Sequence, residues 1–303
     1  MVITTVICSI ACILLSPDTA QAWGGGIHLQ LGLGVLSALE LLPSQTAALL
    51  AAHPRDYLYG CIAADIIVGK KYTHYLLNCH RWRIGSTVLQ RAESDGERAC
   101  AWGYLSHLAA DVIAHNYYVP YKIVRSFPTV TMKHAYWEMR FETFADQEVW
   151  ERAREVCRAD QNRNDMLLRS VLSRTIFSFG TNKRIFNSIM LLSRLEKWQK
   201  VMQTLSENSR YTLAESDRAE YLQLASQAVL DLIQNHQQSA PWRSDPTGER
   251  ALATAEALRK NLRLLYRSGR MTKDEGLAQV EGIKGTLLQA LQRPELLRDL
   301  YSG

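Results

Sequence analysis

The chain has 303 residues, of which 47% are hydrophobic, so it can form one large domain or two small ones around a sizeable core. This composition excludes a chain that is disordered over most of its length. The net charge of +5 is mildly basic. Such a charge fits a phosphate-bearing substrate or an anionic membrane surface, and it is too weak to indicate binding to duplex DNA.

The first 22 residues have the pattern of a signal peptide. Residues 2–15 are mostly apolar, and Ala20-Gln21-Ala22 is an A-x-A cleavage pattern. The apolar stretch is too short to span a bilayer. No Lys or Arg precedes it, which leaves a buried N-terminal helix as the alternative. We therefore predict an exported protein, periplasmic or secreted, whose mature chain begins at Trp23 after cleavage of the Ala22–Trp23 bond.

Cleavage leaves four cysteines, and an exported protein could pair them. Disulfides and buried free thiols both remain open, and none of the four forms a C-x-x-C pair, so zinc held by thiolates is not expected. The four are Cys61, Cys79, Cys100 and Cys157.

Helical patterns dominate the rest of the chain. Apolar residues three and four apart among good helix formers predict helices over Ala99–Asn116, Trp137–Arg158, Glu249–Arg267 and Lys273–Gln292. No alternating strand series occurs, so the predicted fold class is all-α. Every histidine except His236 precedes residue 140. We therefore divide the mature chain into a metal-binding helical region, residues 23–160, and a C-terminal helical region, residues 161–303, that packs on it.

The most informative stretch holds His107, Asp111 and His115, spaced by four residues. Each such step turns an α-helix by about 400°, so the three side chains share one face. Their neighbours are apolar, and ionisable groups in such a setting are costly unless a bound cation neutralises them. His134 and Glu138 repeat the four-residue spacing. Imidazole and carboxylate groups are standard zinc ligands, so the pattern predicts a metal site.

Further candidate ligands lie upstream. Trp23 and His28 follow the cleavage site, and Asp65 stands in an apolar setting that is unusual for an unpaired acid. His80 comes fifteen residues after Asp65, and His74 is a rival for the same position.

In this order the residues resemble the zinc-dependent phospholipase C family, which shares its fold with the S1/P1-type nucleases. The resemblance covers residues 23 to about 145 and implies a multi-helix phospholipase C/P1 nuclease-like bundle with additional C-terminal helices. It also implies about three zinc ions per chain, and it favours His80 because Trp82 stands two residues later. The implied ligands are Trp23, His28, Asp65, His80, His107, Asp111, His115, His134 and Glu138.

The resemblance also implies roles within this set. The amine and carbonyl oxygen of Trp23 would bind zinc after cleavage, Asp111 would bridge two metals, and Asp65 would be the second catalytic carboxylate. The chain departs from the family pattern in two places. Asp111 and His115 are four residues apart rather than six, and an unbroken helix would still turn His115 toward the site. Gly24–Gly26 and Ile66 replace residues found in choline-preferring enzymes, so no choline preference is expected.

The function that follows is hydrolysis of glycerophospholipids to diacylglycerol and a phosphorylated head group. The alternatives are an S1/P1-type nuclease acting on single strands, and an exported helical protein with a structural zinc site or another phosphate-ester substrate. The expected partners are a phospholipid or other phosphodiester and a peripheral membrane surface. Residues 183–200, with five basic residues, fit a membrane-surface helix or, preferably, a core-facing helix with a solvated basic side.

Overall fold

In the computed structural model, residues 23–67, 78–129, 137, 140–172, 177–193 and 215–301 are described, and all regular structure within them is helical. The prediction of an all-α fold is confirmed. The predicted signal peptide, His74, His134 and Glu138 lie outside the described residues.

Twelve α-helices lie within the described ranges. In chain order they are α1 Gly25–Leu36, α2 Ser44–Ala52, α3 Pro54–Ala63, α4 Trp82–Arg91, α5 Asp95–Ile113, α6 Val119–Arg125, α7 Gln147–Arg158, α8 Asn162–Val171, α9 Phe179–Ser193, α10 Glu215–Asn235, α11 Glu249–Arg267 and α12 Lys273–Ala290. Short 3₁₀ turns occur at Leu39–Leu41, Ala64–Ile66, His236–Gln238, Pro241–Arg243 and Pro294–Tyr301.

Helix α5 forms the centre of the molecule. It begins with a capping box, in which the Ser94 side chain accepts from the Glu97 amide and Glu97 accepts from the Ser94 amide. From Gly103 to Ile113 every residue is buried. Helices α3, α4 and α10 pack around it. A helix that is buried on all sides can carry polar groups only where they have partners, so the polar residues of α5 mark a site.

Two glycines allow α3 and α5 to cross in backbone contact. A Cβ atom added to Gly60 would lie 1.9 Å from the carbonyl oxygen of Cys100, and one added to Gly103 would lie 2.0 Å from that of Tyr57. Only glycine fits at such distances. The crossing brings the C-terminal end of α3 and the turn after it against the face of α5 that carries His107.

The helix predicted over Ala99–Asn116 is not α-helical throughout. It starts four residues earlier, at Asp95, and residues Ala114–Tyr118 form a π-helix that leads into α6. Pro120 explains the change, because its ring excludes the normal α-helical bond to Asn116. The helix therefore continues through His115 without interruption, but this residue lies in the π turn, where α-helical spacing no longer sets its direction.

The single helix predicted over Trp137–Arg158 is also broken in its described part. Turn bonds join the Phe144 amide to the Phe141 carbonyl oxygen and the Ala145 amide to the Glu142 carbonyl oxygen. The backbone at Asp146 is extended, and α7 starts one residue later.

The C-terminal helices pack on the N-terminal ones. Helix α10 lies against α5 and α1, and both α11 and α12 contact α6. In α9 the side chains of Phe186 and Met190 are buried, and Lys183 forms an ion pair with Asp165. The part of residues 183–200 that is described is thus a core-facing helix.

The four cysteines form no disulfide with one another, so the disulfide alternative is not realised among them. Cys61, Cys79 and Cys100 are buried, and Cys157 is partly buried. Within the described ranges, no helix combines the length and apolar character needed to cross a bilayer.

We predict that Gly60→Ala lowers the free energy of unfolding by about 3 kcal/mol, because the new methyl group meets backbone atoms that cannot move aside. Gly282→Ala is the matched control, since nothing lies within 4 Å of its added Cβ in α12. It should raise stability by about 0.5–1 kcal/mol. Urea denaturation of both variants measures the difference, and equal stabilities would contradict the close crossing.

Candidate metal centre

Five of the predicted ligands converge at one buried place. One comes from α1, one from the 3₁₀ turn after α3, one from the loop just before α4, and two from α5. Each of these side chains is at most 9% exposed. They are His28, Asp65, His80, His107 and Asp111.

The carboxylate of Asp111 is the centre of this cluster. His28 Nε2 lies 3.3 Å from Oδ1, while His107 Nε2 and His80 Nε2 lie 3.3 and 3.4 Å from Oδ2. Asp111 is fully buried, yet neither oxygen has a hydrogen bond of normal geometry within the described residues. Three imidazoles therefore face this carboxylate at short distance without being oriented to donate to it.

Asp65 completes a second group on the other side of His107. Its Oδ1 lies 3.2 Å from His80 Nε2, and His80 Nε2 lies 3.1 Å from His107 Nε2. The ligand atoms of Asp65, His80 and His107 all lie within 4.8 Å of one another, as do those of His28, His107 and Asp111. The two groups overlap at His107, so they lie side by side within one buried cluster.

These distances fit zinc ligands. Atoms bound to one zinc ion at about 2.0–2.1 Å in a tetrahedron lie about 3.3–3.4 Å from each other, close to the separations between His28, His107, His80 and Asp111. The donors are imidazole nitrogens and carboxylate oxygens, which suit zinc. The Asp111 oxygens point to the same conclusion, because a buried charge needs a partner and the described part of the chain offers them no hydrogen bond of normal geometry.

The electrostatics of the cluster favour a bound cation. Burial would raise the pKa of the Asp111 carboxyl, but the nearby imidazoles of His107 and His28 outweigh it and hold that pKa well below its ordinary value. Burial lowers the pKa of His28, and the neighbouring His107 lowers it further. Burial also opposes protonation of His107, yet the carboxylates of Asp111 and Asp65 raise its pKa overall. Asp111 is thus kept ionised and His28 neutral, which are the forms that bind metal. At His107, a metal ion would take the place of the proton that the two carboxylates favour.

Backbone carbonyls orient the imidazoles. His107 Nδ1 lies 2.9 Å from the carbonyl oxygen of Cys61, at the end of α3, so a proton on Nδ1 leaves the Nε2 lone pair facing Asp111. The contact between His107 and the Cys61 carbonyl is short because Gly60 and Gly103 let the two helices cross in backbone contact. Before α4, the Tyr104 hydroxyl donates to the carbonyl oxygen of Cys79 at 2.6 Å, which fixes the backbone beside His80.

Of the other predicted ligands, the structure describes only His115 and Trp23. His115 lies in the π-helix, and its Nδ1 is 2.7 Å from the carbonyl oxygen of Pro246. It belongs to neither group of ligands formed by the described residues. The Trp23 ring is buried and stacks on Phe141 at 4.8 Å, so its indole is a core side chain.

Glu142 is a residue near the site that the sequence analysis did not identify. Its carboxylate accepts from the amides of Gly26, at 2.6 Å, and Ile27, at 3.3 Å, and so caps α1 two residues before His28. A Cβ on Gly24 would lie 2.5 Å from the Glu142 carboxyl carbon, which explains a glycine there. Burial raises the pKa of Glu142 to about 7. The only signal in the sequence was the run of glycines.

Together the fold and the site define a helical protein built to hold metal ions through imidazole and carboxylate ligands. A family model described as zinc dependent phospholipase C matches residues 27–178, just over half of the chain, and the chain belongs to this family. The family and the two ligand groups support a metal-dependent phospholipase, a hydrolase. No curated protein and no solved structure matches the chain significantly.

We predict that Glu142→Gln changes how stability depends on pH. A carboxyl with a pKa near 4.5 in the unfolded chain and about 7 in the folded one binds more protons when folded. The protein therefore loses about 3 kcal/mol of stability as pH rises through this window. Between about pH 4 and pH 8, the free energy of unfolding of the variant should therefore rise by that amount relative to wild type. Urea denaturation of the metal-free proteins at each pH measures this difference.

The control for this measurement is Glu148→Gln, which removes the same charge from an exposed side chain in α7. A difference between Glu142→Gln and wild type that stays constant across the pH range would contradict the raised pKa.

Proposed function

We propose that this protein is a zinc-dependent phospholipase C that hydrolyses glycerophospholipids to diacylglycerol and a phosphorylated head group. The observation that carries the proposal is the fully buried Asp111 carboxylate, which faces three imidazoles at 3.3–3.4 Å in a chain of this family. The substrate class comes from the family. The site contributes a set of ligands suited to more than one zinc ion.

The chemistry requires such a site because a phosphodiester resists attack by water. Bound zinc would lower the pKa of a coordinated water and offset charge on the phosphoryl oxygens. The residues of the chain supply the rest. His28, Asp65, His80, His107 and Asp111 would hold a pair of zinc ions, with each imidazole bound to a single ion. Asp111 would be the ligand shared by the pair, and Asp65 would accept the proton of the attacking water at a carboxylate oxygen that is not bound to metal.

A third zinc position is part of the proposal. His115, His134 and Glu138 would hold it, which gives about three zinc ions per chain. The first of these residues lies four positions from Asp111, on the π turn, where its Nδ1 is 2.7 Å from a backbone carbonyl oxygen. A proton on Nδ1 would make Nε2 the ligand atom.

The nuclease alternative needs exposed aromatic rings on which bases can stack. Of the five tyrosines that could stack on bases, Tyr117 and Tyr118 are fully buried. The other three, Tyr72, Tyr75 and Tyr136, lie outside the described residues. The hydroxyl of Tyr117 donates to Glu220, and that of Tyr118 donates to the carbonyl oxygen of Trp137. Single-stranded nucleic acid stays the alternative substrate, and the assays below compare it with phospholipid.

Contact with a membrane surface follows from a lipid substrate. The hairpin of α11 and α12 presents the feature that fits it best. Leu264 is 69% exposed and Leu265 is 36% exposed, and the exposed Arg267 and Arg270 follow them. Exposed leucines beside basic residues suit the boundary between head groups and acyl chains.

We predict that the purified mature protein contains about three zinc ions per chain and releases diacylglycerol from phospholipid vesicles, with little action on single-stranded DNA. Asp111→Ala should lose more than one zinc ion and reduce activity by at least about 100-fold, because it removes the shared ligand. Elemental analysis measures the zinc content, and lipid and nucleotide assays on the same samples measure the two activities. Co-sedimentation with the vesicles measures membrane binding.

The matched control is Asp95→Ala, the same substitution in the first turn of the same helix, where the carboxylate is 62% exposed. It should keep wild-type zinc content and activity. A wild-type content of zero or one zinc ion would exclude the cluster, and nucleotide release without diacylglycerol would exclude the phospholipase.

Export, cleavage of the Ala22–Trp23 bond and a zinc ligand at the new terminus also belong to the proposal. The α-amine of Trp23 can bind metal because its lone pair is free, whereas the amide nitrogen of an uncut chain cannot. The burial of the Trp23 ring against Phe141 supports a fixed position for this terminus.

We predict that one extra Ala before Trp23 removes one zinc ion and most of the activity. The insertion moves the amine by up to about 3.6 Å, beyond a zinc–nitrogen bond of about 2.0–2.1 Å. Zinc analysis and lipid hydrolysis of the two proteins provide the comparison. Identical results for both would exclude the N-terminal ligand.

A further inference from the structure

A segment far outside the family match lies directly on the metal-binding helix. It consists of residues 244–249, which connect the Pro241–Arg243 turn to α11, and we refer to it as the 244–249 strap. The family match ends at residue 178.

The strap holds the π-helical turn by two hydrogen bonds. His115 Nδ1 lies 2.7 Å from the carbonyl oxygen of Pro246. The next residue, Asn116, donates from its side-chain amide to the carbonyl oxygen of Asp245 at 2.8 Å. Both side chains are buried, so these bonds are not exchanged with water.

The same strap is anchored to the segment that carries His80. Trp82 donates from Nε1 to the carbonyl oxygen of Ser244 at 2.8 Å, and its ring stacks on Trp242 at 4.5 Å. Arg81 lies 3.3 Å from the carboxylate of Glu249. The strap thus contacts both the π turn that carries His115 and the segment that carries His80.

The strap is also rigid in itself. Asp245 accepts from the amide and hydroxyl of Thr247 through its carboxylate, at 3.2 and 2.6 Å, and from the amide of Gly248 through its carbonyl, at 3.0 Å. Pro246 has a fixed φ and no amide proton. These constraints hold the Pro246 carbonyl in one direction.

Gly248 allows the close approach to His115. It has a φ of +60°, and an added Cβ would lie 2.4 Å from both Cβ and the carbonyl oxygen of His115. Any other residue would therefore separate the strap from the π turn.

We propose that the 244–249 strap is a positioning element of the metal centre. The Pro246 carbonyl accepts the Nδ1 proton of His115 and so leaves Nε2 as the ligand atom, while the bond from Asn116 fixes the turn. This inference rests on the proposed function, in which His115 is a zinc ligand. A partner of this kind contributes about 10–100-fold to metal affinity.

The test compares Gly248→Ala with Gly269→Ala in the full chain. Gly269 has a φ of +72° with nothing within 4 Å of an added Cβ, so it carries the same backbone strain without the contact. Gly248→Ala should bind one zinc ion about 10–100-fold more weakly in chelator competition, while Gly269→Ala should bind like wild type. Equal zinc affinity in the two variants would overturn the proposal.

A second measurement does not depend on metal. In the metal-free wild-type protein, ¹⁵N NMR of His115 should show the proton on Nδ1, and Asn116→Ala, which keeps Gly248, should show a mixture of tautomers. A tautomer unchanged by Asn116→Ala, or a proton on Nε2 in the wild type, would refute the strap's role. Wild-type protein without zinc would refute the proposed function instead, and the NMR result would still decide the inference.

Discussion

The structure depends on the burial of one carboxylate. Asp111 is fully buried, and three imidazoles face it at 3.3–3.4 Å. A charge in such a place is tolerated only if a fixed set of partners surrounds it. Much of the nearby fold supplies and orients that set: the buried α5, the crossing with α3, the turn that holds Asp65, and the capped start of α1.

The close crossing of α3 and α5 links helix packing to chemistry. Gly60 and Gly103 bring the two backbones into contact, and the Cys61 carbonyl therefore reaches His107 Nδ1. The orientation of the imidazole is then a property of helix packing and not of a flexible side chain. On α1, Glu142 has a comparable role, because it fixes the first turn of the helix that carries His28.

Local patterns allowed part of this to be predicted. The spacing of His107 and Asp111 places them on one helical face by geometry alone, and the structure has them there, 3.3 Å apart. The grouping of Asp65 with His80 came only from the family resemblance, because they lie on different elements. The π-helix had a local signal in Pro120, which was not used. The role of Glu142 left only the run of glycines as a signal, because this residue caps a helix from 115 residues away. The role of Pro246 left no pattern, because this residue acts through its backbone.

The contact between His115 and Pro246 spans 131 residues, and this has a consequence for the order in which the protein is made. During synthesis, residues 23–145 with all nine candidate ligands emerge well before residue 246. If the strap acts as proposed, the nascent chain has its ligands but not the partner that orients His115. Tight metal loading would then be a property of the finished polypeptide. A fragment trimmed to the ligand-bearing residues would keep the ligand list and lose part of the site.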